Sequence, residues 1–599
     1  MSNERKTWQR DHNGTLPLKS YGAVGDGRSV ALIGADGSVD WWCVPGIDSP
    51  PLFDRLLDAQ QGGYFSLTPA DEFSVERRYL PNSNVLETVF TTPTGRARLI
   101  ESHNSSGAGR LPWAELARRV EGLSGSVRFE IRIRFSRQGD TISPYCSIIG
   151  GHDVFHAGRV LGLVLHSKGM EIESHDDSGL LAHCVVRAGE RQTVAIVAGQ
   201  DEPLVVPPID VIDGRIDRSD EAWREWTGHL RYDGPHRALL VRSALALKLL
   251  LYSPSGAIAA AATTSLPERI GGNKNFDYRY AWVRDAGYTI KAFLRMDAQA
   301  EAKAAFSWLL KQIETEGARV LFGLSGGKVP GVIPLNLPGY GNSAPVITGN
   351  AAAHQHQHGI YGDIFGTAAV FVRSGNILDS QSAQTLSRLA DQCADNWRRK
   401  DAGIWELEEA QHYTMSKLST WEALARAVEL ADSGQLPTTC RDRWERERDR
   451  IAEWIERYGW SEEKGAYVMY PGSDKLDASM ALAVRFRFDG NDRMTRTLDA
   501  IQRELGAGPF HYRYTGMAGE EGCFLACTFW YIEARALLGQ TEAATQALDA
   551  VVEALDGGVG IYPEMADPHT GGYLGNLPQG LTHLAIVQAL TALTPGSSL

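Results

Sequence analysis

The sequence predicts an α+β chain of more than one domain. An N-terminal antiparallel β-sandwich over residues 1–215 is followed, after a linker helix at 216–240, by an all-helical domain over 241–599. Three observations predict this. At 599 residues the chain exceeds what one hydrophobic core organises. The apolar pattern switches near residue 216 from short runs punctuated by turns to long runs of helical period. The helical runs then alternate between amphipathic members and members apolar nearly all round, as two concentric rings would require, the inner ring being covered on both faces.

In the first part, Val30–Ile33, Val39–Val44, Val85–Thr91, Ala97–Glu101, Val127–Phe135, Val160–His166 and Gln192–Ala198 are of strand length. Gly, Asp and Pro separate them, as in Gly25-Asp26-Gly27 and Ala35-Asp36-Gly37-Ser38. Residues 216–240 read as a charged amphipathic helix carrying Trp223 and Trp226, closed by the turn Tyr232-Asp233-Gly234-Pro235. Beyond it His236–Tyr252 is nearly apolar, whereas Glu301–Glu316 and Ser382–Lys400 each have one apolar side. Further helices are expected over Ser419–Ala431, Cys440–Tyr458, Leu476–Val484, Arg493–Leu505, Phe524–Leu538, Thr541–Leu555 and Gly580–Leu593. They share no repeat of fixed period, which argues against a solenoid.

Hydrophobic content of 43% with 22% charged residues is that of a globular chain, and a net charge of −13 argues against nucleic acid or an anionic membrane as partner. The opening MSNERKTWQRDHNG has no apolar core of a secretion signal, and Arg242 and Lys248 interrupt the longest apolar run. Seven dispersed cysteines read as reduced thiols of a cytoplasmic protein. His354, His356 and His358 alternate, but no fourth ligand follows in order, so no metal or other cofactor is expected.

The most informative stretch is Asn275–Tyr288, NFDYRYAWVRDAGY. Phe276, Tyr278, Tyr280 and Trp282 lead into Arg284-Asp285 and a helix-forming run. Aromatic faces beside a bidentate donor and a carboxylate suit a sugar, which has apolar C–H faces and a rim of hydroxyls. Breaking a glycosidic bond takes two carboxyl groups, one protonated and one ionised, standing about 6.5–9.5 Å apart if a water is to enter between them. Glu406, after Trp405 and a turn at Gly403, is a candidate acid, its charged form disfavoured by an indole packed on it. The second carboxyl is open between the Glu520-Glu521 pair and Glu564.

The order Tyr-x-Tyr-x-Trp-x-Arg-Asp resembles glycoside hydrolase family 15, the glucoamylase-like enzymes, and the resemblance runs through most of the chain. It implies a β-sandwich before an (α/α)6 barrel whose pocket is built from loops at one end. It assigns Arg284 and Asp285 to the terminal glucose, Tyr278 and Trp282 to the pocket, and the acid to Glu406 in the Gly-x-Trp-Glu loop with Trp405. The base falls in the last long loop, at Glu564, leaving Glu521 as a substrate contact. Gln355, Gln357, His358, Tyr361 and Gly362 match a segment lining the barrel interior, so Gln357 and His358 are expected at the substrate. Trp41, Trp42 and the Val44–Asp48 turn are similar to a segment that reaches toward the site. The chain departs from the family at Gly46, often an arginine, at Gly359, where an aspartate is usual, and at Leu407, where fungal glucoamylases carry a second glutamate. The implied activity is inverting, exo-acting hydrolysis of short α-glucosides or α-glucans, trehalose included. A disaccharide phosphorylase and a non-catalytic sugar-binding protein are the rivals.

Overall fold

The structure, a computed structural model, describes residues 8–106, 109–176, 179–488 and 492–594. Its N-terminal part is an antiparallel β-sheet domain organised on one long strand, Ala114–Arg134. The first half of that strand pairs with Gly95–His103 and Arg191–Gln200, the second with Tyr64–Pro69 and Gly179–Arg187. A register shift between Gly122 and Ser124 marks the change of partners. Val30–Ile33 and Val160–His166 form where the sequence predicts them, Val39–Val44 and Val85–Thr91 are displaced by one, and Ala97–Glu101 and Gln192–Ala198 run a few residues longer. Val127–Phe135 falls in the second half of the long strand, whose start at Ala114 was not expected.

Period-two alternation decides which way each residue of the first strands faces. Ala23, Val30, Leu32, Trp41 and Cys43 pack into the core shared with the helices. Their neighbours Val24, Ala31, Ile33, Trp42 and Val44 pack inside the β domain. Trp41 donates its indole N–H to the carbonyl of Ala262 at 2.8 Å, and Trp42 donates to Ser29 Oγ at 2.7 Å. Both rings are fully buried. They are core residues, and neither they nor the Val44–Asp48 turn line the cavity described below.

Thirteen α-helices follow among the described residues: α1 (Ile209–Gly228), α2 (Arg237–Leu250), α3 (Val283–Arg295), α4 (Gln299–Glu316), α5 (Gly359–Arg373), α6 (Ser380–Asn396), α7 (Thr414–Asp432), α8 (Arg441–Tyr458), α9 (Leu482–Phe486), α10 (Asp492–Leu505), α11 (Leu525–Leu537), α12 (Thr541–Ala554) and α13 (Gly580–Ala592). The charged helix α1 begins upstream of the charge pattern and ends at Gly228, before the Tyr232–Pro235 turn. Around the middle of the domain α3 packs on α5, α5 on α7, α7 on α9, α9 on α11, α11 on α13 and α13 on α3. The amphipathic helices α4, α6, α8, α10 and α12 keep exposed faces outside them. No helix of the described residues is long and apolar enough to cross a membrane.

Helix α5 was not expected from the sequence. Its glycines at 359, 362 and 366 dilute helix propensity. Two of them serve packing on α7: a Cβ on Gly362 would lie 2.6 Å from the Ser419 carbonyl and one on Gly366 2.7 Å from Glu422 Oε1, whereas Gly359 has open space beside it. Leu476–Val484 is also shorter than expected as an α-helix, opening as a 3-10 turn at Ala478–Ala481 capped by Asp477.

Candidate active site

A cavity of about 320 Å3 is lined by residues from the segments that lead into α3, α5, α7, α11 and α13. It therefore lies at the N-terminal ends of these helices, where unpaired backbone N–H groups give a positive partial charge.

The Asn275–Tyr288 stretch forms one wall by alternation. Phe276, Tyr278 and Trp282 face the cavity. Arg279 turns the other way, holds Asp277 through Nε at 2.9 Å and Nη2 at 2.8 Å, and donates through Nη1 to the Ser49 carbonyl of the β domain at 2.9 Å. The motif is thereby pinned between the two domains. Arg284 and Asp285 occupy the first turn of α3, with Arg284 Nε 3.0 Å from Asp285 Oδ2 and Nη1 donating to the Ile404 carbonyl at 3.0 Å. Burial opposes the Arg284 charge, but Asp285, Glu406 and Asp363 more than offset it, so the guanidinium stays protonated.

The second bond ties Arg284 to the loop that carries Glu406. Paired N–H to carbonyl bonds between Asp401 and Gln411, both 3.0 Å, close the neck of that loop. Inside it Glu406 adopts φ +60°, a left-handed conformation rare for glutamate and costing about 1–2 kcal/mol. Its carbonyl accepts from Gln355 Nε2 at 2.9 Å, and its Oε1 accepts from the indole of Trp282 at 2.7 Å. Burial pushes this carboxyl above the usual range, against Arg284 and the indole N–H, which favour its charge. The indole on Glu406 is thus Trp282. Trp405, expected in that role, lines the cavity but donates its N–H to Asp477 Oδ1 at 2.9 Å.

Glu564 reaches the same cavity from the loop before α13 and is 2% exposed. Its backbone N–H donates to Asn576 and its carbonyl accepts from Leu525 at the start of α11, at 3.1 and 3.0 Å. Gly575, at φ +74°, passes so close that a Cβ there would meet Glu564 Oε2 at 2.6 Å. Burial first and the Glu268 carboxylate second push Glu564 well above the ordinary carboxylate range, against Arg513.

Of the residues expected at the substrate, Tyr278, Trp282, Arg284, Asp285, Trp405, Glu406 and Glu564 share this cavity. Glu521, Gln357 and His358 do not line it. Glu521 is held by Arg513 and by Lys274 Nζ at 2.8 Å, so its charge orients two cations that themselves form the wall. Gln357 donates to Gln355 Oε1 at 3.0 Å and borders a neighbouring void of about 10 Å3 with Arg284 and Asp363. The His358 ring is buried against His356, and burial together with Lys417 lowers it to about 3, which leaves it neutral. Among the described residues no three His, Cys, Asp or Glu side chains stand together as a metal site. Lys274, Arg513, Tyr514 and Gln579 line the cavity without having been singled out from the sequence.

A cavity of aromatic faces, an Arg–Asp pair and two carboxyls is that of a carbohydrate-cleaving enzyme, and comparison with known proteins agrees. Residues 234–591 match the family model of glycosyl hydrolases family 15, and residues 3–203 match a trehalase-like N-terminal model. The chain belongs to glycosyl hydrolase family 15 and is a glycosidase. It is 30% identical to a trehalase of Thermoplasma acidophilum, over 94% of this chain and 98% of that one. It is 32% identical to a trehalase of Mycobacterium tuberculosis, over 96% and 89% respectively. A bacterial glucoamylase solved with acarbose shares the fold, with a TM-score of 0.72, 15% identity, and coverage of 98% of this chain and 95% of that one.

Proposed function

We propose that the protein is an inverting α-glycosidase that hydrolyses trehalose, with Glu406 as general acid and Glu564 as general base. The observation that carries the reading is that these two carboxyls, distant in sequence, line one cavity beside the Arg284-Asp285 pair. Arg284 and Asp285 grip the hydroxyls of one glucose, and Tyr278 and Trp282 cover its apolar faces. Glu406 gives its proton to the bridging oxygen as the C1–O bond breaks. A water attacks C1 from the opposite face and passes a proton to Glu564. The attacked sugar is released as the β anomer, while the leaving glucose keeps its α configuration.

The names of the relatives support trehalose over other α-glucosides. So does the volume, which stands at the low end of the ~300–1,000 Å3 of ligand pockets and suits two sugar rings better than a chain. No cofactor is invoked, since two carboxyls and water suffice. Phosphorolysis is disfavoured because the cavity cations Lys274 and Arg513 are already engaged by the carboxyls of Glu521 and Glu268. As architecture we propose a β-sandwich of about residues 1–215, a linker over 216–240 and an (α/α)6 double ring over 241–599. The closed order of contacts from α3 to α13 supports six inner helices.

Incubation with trehalose, maltose and isomaltose, followed by proton NMR at the anomeric signals, tests the reading. Trehalose should be consumed fastest and yield α- and β-glucose in equal amounts at early times. Early product that is all α would mean retention and would remove Glu564 from the role of base.

A further inference from the structure

The rings of the motif wall form a series that runs from the surface into the cavity. Phe276 is 39% exposed, Tyr278 is half-buried and Trp282 is buried. Successive ring centroids stand 6.2 and 5.4 Å apart. The inner end holds Asp285, Glu564 and Gln579, all buried, together with the Trp282 indole that meets Glu406. A glucose held there by Arg284 and Asp285 fills the buried end. A second sugar joined to it has to lie toward the open end, where Phe276 stands.

Among the described residues Phe276 is the one phenylalanine that is exposed. A lone exposed ring on an open surface needs no explanation, but this one lines a cavity. Its backbone is firmly held. The Phe276 carbonyl accepts from the Ser265 N–H at 2.9 Å and from Asn576 Nδ2 at 3.0 Å. Asn275, before it, donates through Nδ2 to the carbonyls of Ser343 and Pro345 at 3.2 and 3.3 Å. The ring is therefore presented ready to stack, with little ordering left to do on binding.

Alternation puts Lys274 on the same wall: Lys274, Phe276 and Tyr278 line the cavity, whereas Asp277 and Arg279 pair with each other on the other side. Lys274 Nζ donates to Glu521 Oε2 at 2.8 Å and approaches Met517 Sδ at 3.7 Å, and its side chain is 30% exposed. An ammonium has three N–H donors, so one remains. With its charge met by Glu521, that donor suits a neutral hydroxyl.

We infer that Phe276 and Lys274 form the subsite for the leaving sugar and so set which disaccharide is cleaved. The phenyl ring stacks on the apolar face of a neutral hexopyranose, and the ammonium donates to one of its hydroxyls. The inference rests on the proposed reaction, in which Arg284 and Asp285 hold the glucose that is attacked. That first glucose is the same in trehalose, maltose and isomaltose. The second ring is joined through its own anomeric carbon in trehalose and through C4 or C6 in the other two. The linkage therefore decides which face of the second ring turns to Phe276 and which hydroxyl reaches Lys274.

The test compares two substrates that share the first glucose: trehalose, and α-glucosyl fluoride, which has no second sugar. The quantity read is kcat/KM on trehalose divided by kcat/KM on the fluoride. In Phe276→Ala this ratio should fall by about tenfold or more, with the loss carried mainly by KM on trehalose. Lys274→Met keeps the length of the stem without its donors and should lower the ratio by about threefold or more. Phe276→Tyr retains the ring and should retain the ratio. Phe276→Leu retains the apolar bulk but not the flat face, so it should keep the fold and fall between Phe276→Tyr and Phe276→Ala. The preference among trehalose, maltose and isomaltose should narrow in Phe276→Ala. Equal losses on trehalose and on the fluoride would mean a general disturbance of the cavity and overturn the inference, as would a ratio unmoved in Phe276→Leu and Phe276→Ala. The wild type separates the two levels. If it hydrolyses the fluoride and leaves trehalose intact, the proposed substrate fails and this inference with it. If trehalose is consumed and the variants leave the ratio in place, only this inference fails.

Discussion

Glu406 is half-buried on a loop closed at its neck by the Asp401–Gln411 pair, and its carboxyl meets one N–H donor and the Arg284 guanidinium. Glu564 is almost wholly buried between the starts of α11 and α13, with one oxygen unpartnered and another carboxyl as its strongest charged neighbour. One residue type thus meets two environments on one cavity wall. Burial raises both, and each meets a cation and a donor that favour its charge, Arg284 and the Trp282 indole for Glu406, Arg513 and the Tyr278 hydroxyl for Glu564. The charge acting most strongly on the first is a cation, and on the second a carboxylate. The difference teaches that the two roles are separated by what surrounds each carboxyl, and each surrounding group is a handle for testing the assignment.

The largest expected effect comes from removing either carboxyl. Glu406→Gln and Glu564→Gln should each lower kcat by about a thousandfold or more, measured on trehalose at the wild-type optimum. The substitutions differ in their rescue. α-Glucosyl fluoride, whose leaving group needs no proton, should restore much of the rate of Glu406→Gln and none of that of Glu564→Gln. Rescue of both variants, or of the Glu564 variant alone, would exchange or erase the roles.

Much of this site was legible because its signals are local. The ring alternation of Phe276, Tyr278 and Trp282 and the adjacent Arg284-Asp285 pair need no tertiary information, and Glu406 and Glu564 were found by motif and by order in the chain. Glu521 was misplaced because a sequence displays a carboxylate but not the cations it is spent on, here Arg513 and Lys274. Arg513 was missed although Tyr512-Arg513-Tyr514 repeats the pattern of Tyr278-Arg279-Tyr280. In the first stretch the tyrosine faces the cavity and the arginine faces away, and in the second Arg513 faces inward beside Tyr514. Which member of an alternating pair points inward depends on how the segment is anchored, and that anchoring is tertiary. For the same reason Gln357 and His358 matched a motif yet sit behind the wall, and α5 went unseen because Gly362 and Gly366 serve contact with α7 rather than helix propensity.

A smaller but more diagnostic effect lies in the pH dependence. In the proposed mechanism the productive form has Glu406 protonated and Glu564 ionised, so activity should be lost as pH falls through the Glu564 value and as pH rises through the Glu406 value. Both are raised by burial. The optimum of kcat/KM should therefore stand above the ~4.3 of an ordinary glutamate, and the bell should be narrow, its two apparent values belonging to the coupled set. A broad plateau extending below about pH 4 would contradict the burial of Glu564.

The smallest effect separates the two tryptophans of the acid loop. The Trp282 indole donates to Glu406 at 2.7 Å and so stabilises the charged carboxylate. Trp282→Phe removes that donor, the charged form loses stabilisation, and Glu406 should hold its proton to higher pH. Since the acid must be protonated to act, the alkaline limb should move up by about one unit, while the acid limb, set by Glu564, stays in place. Trp405→Phe is the matched control, because its N–H is directed to Asp477. It should loosen the loop by about 1 kcal/mol, readable in thermal unfolding, and leave the alkaline limb where it was. A shift with Trp405→Phe and none with Trp282→Phe would return the acid's indole partner to the residue adjacent in sequence and show that the hydrogen bond to Trp282 has no part in setting the proton on Glu406.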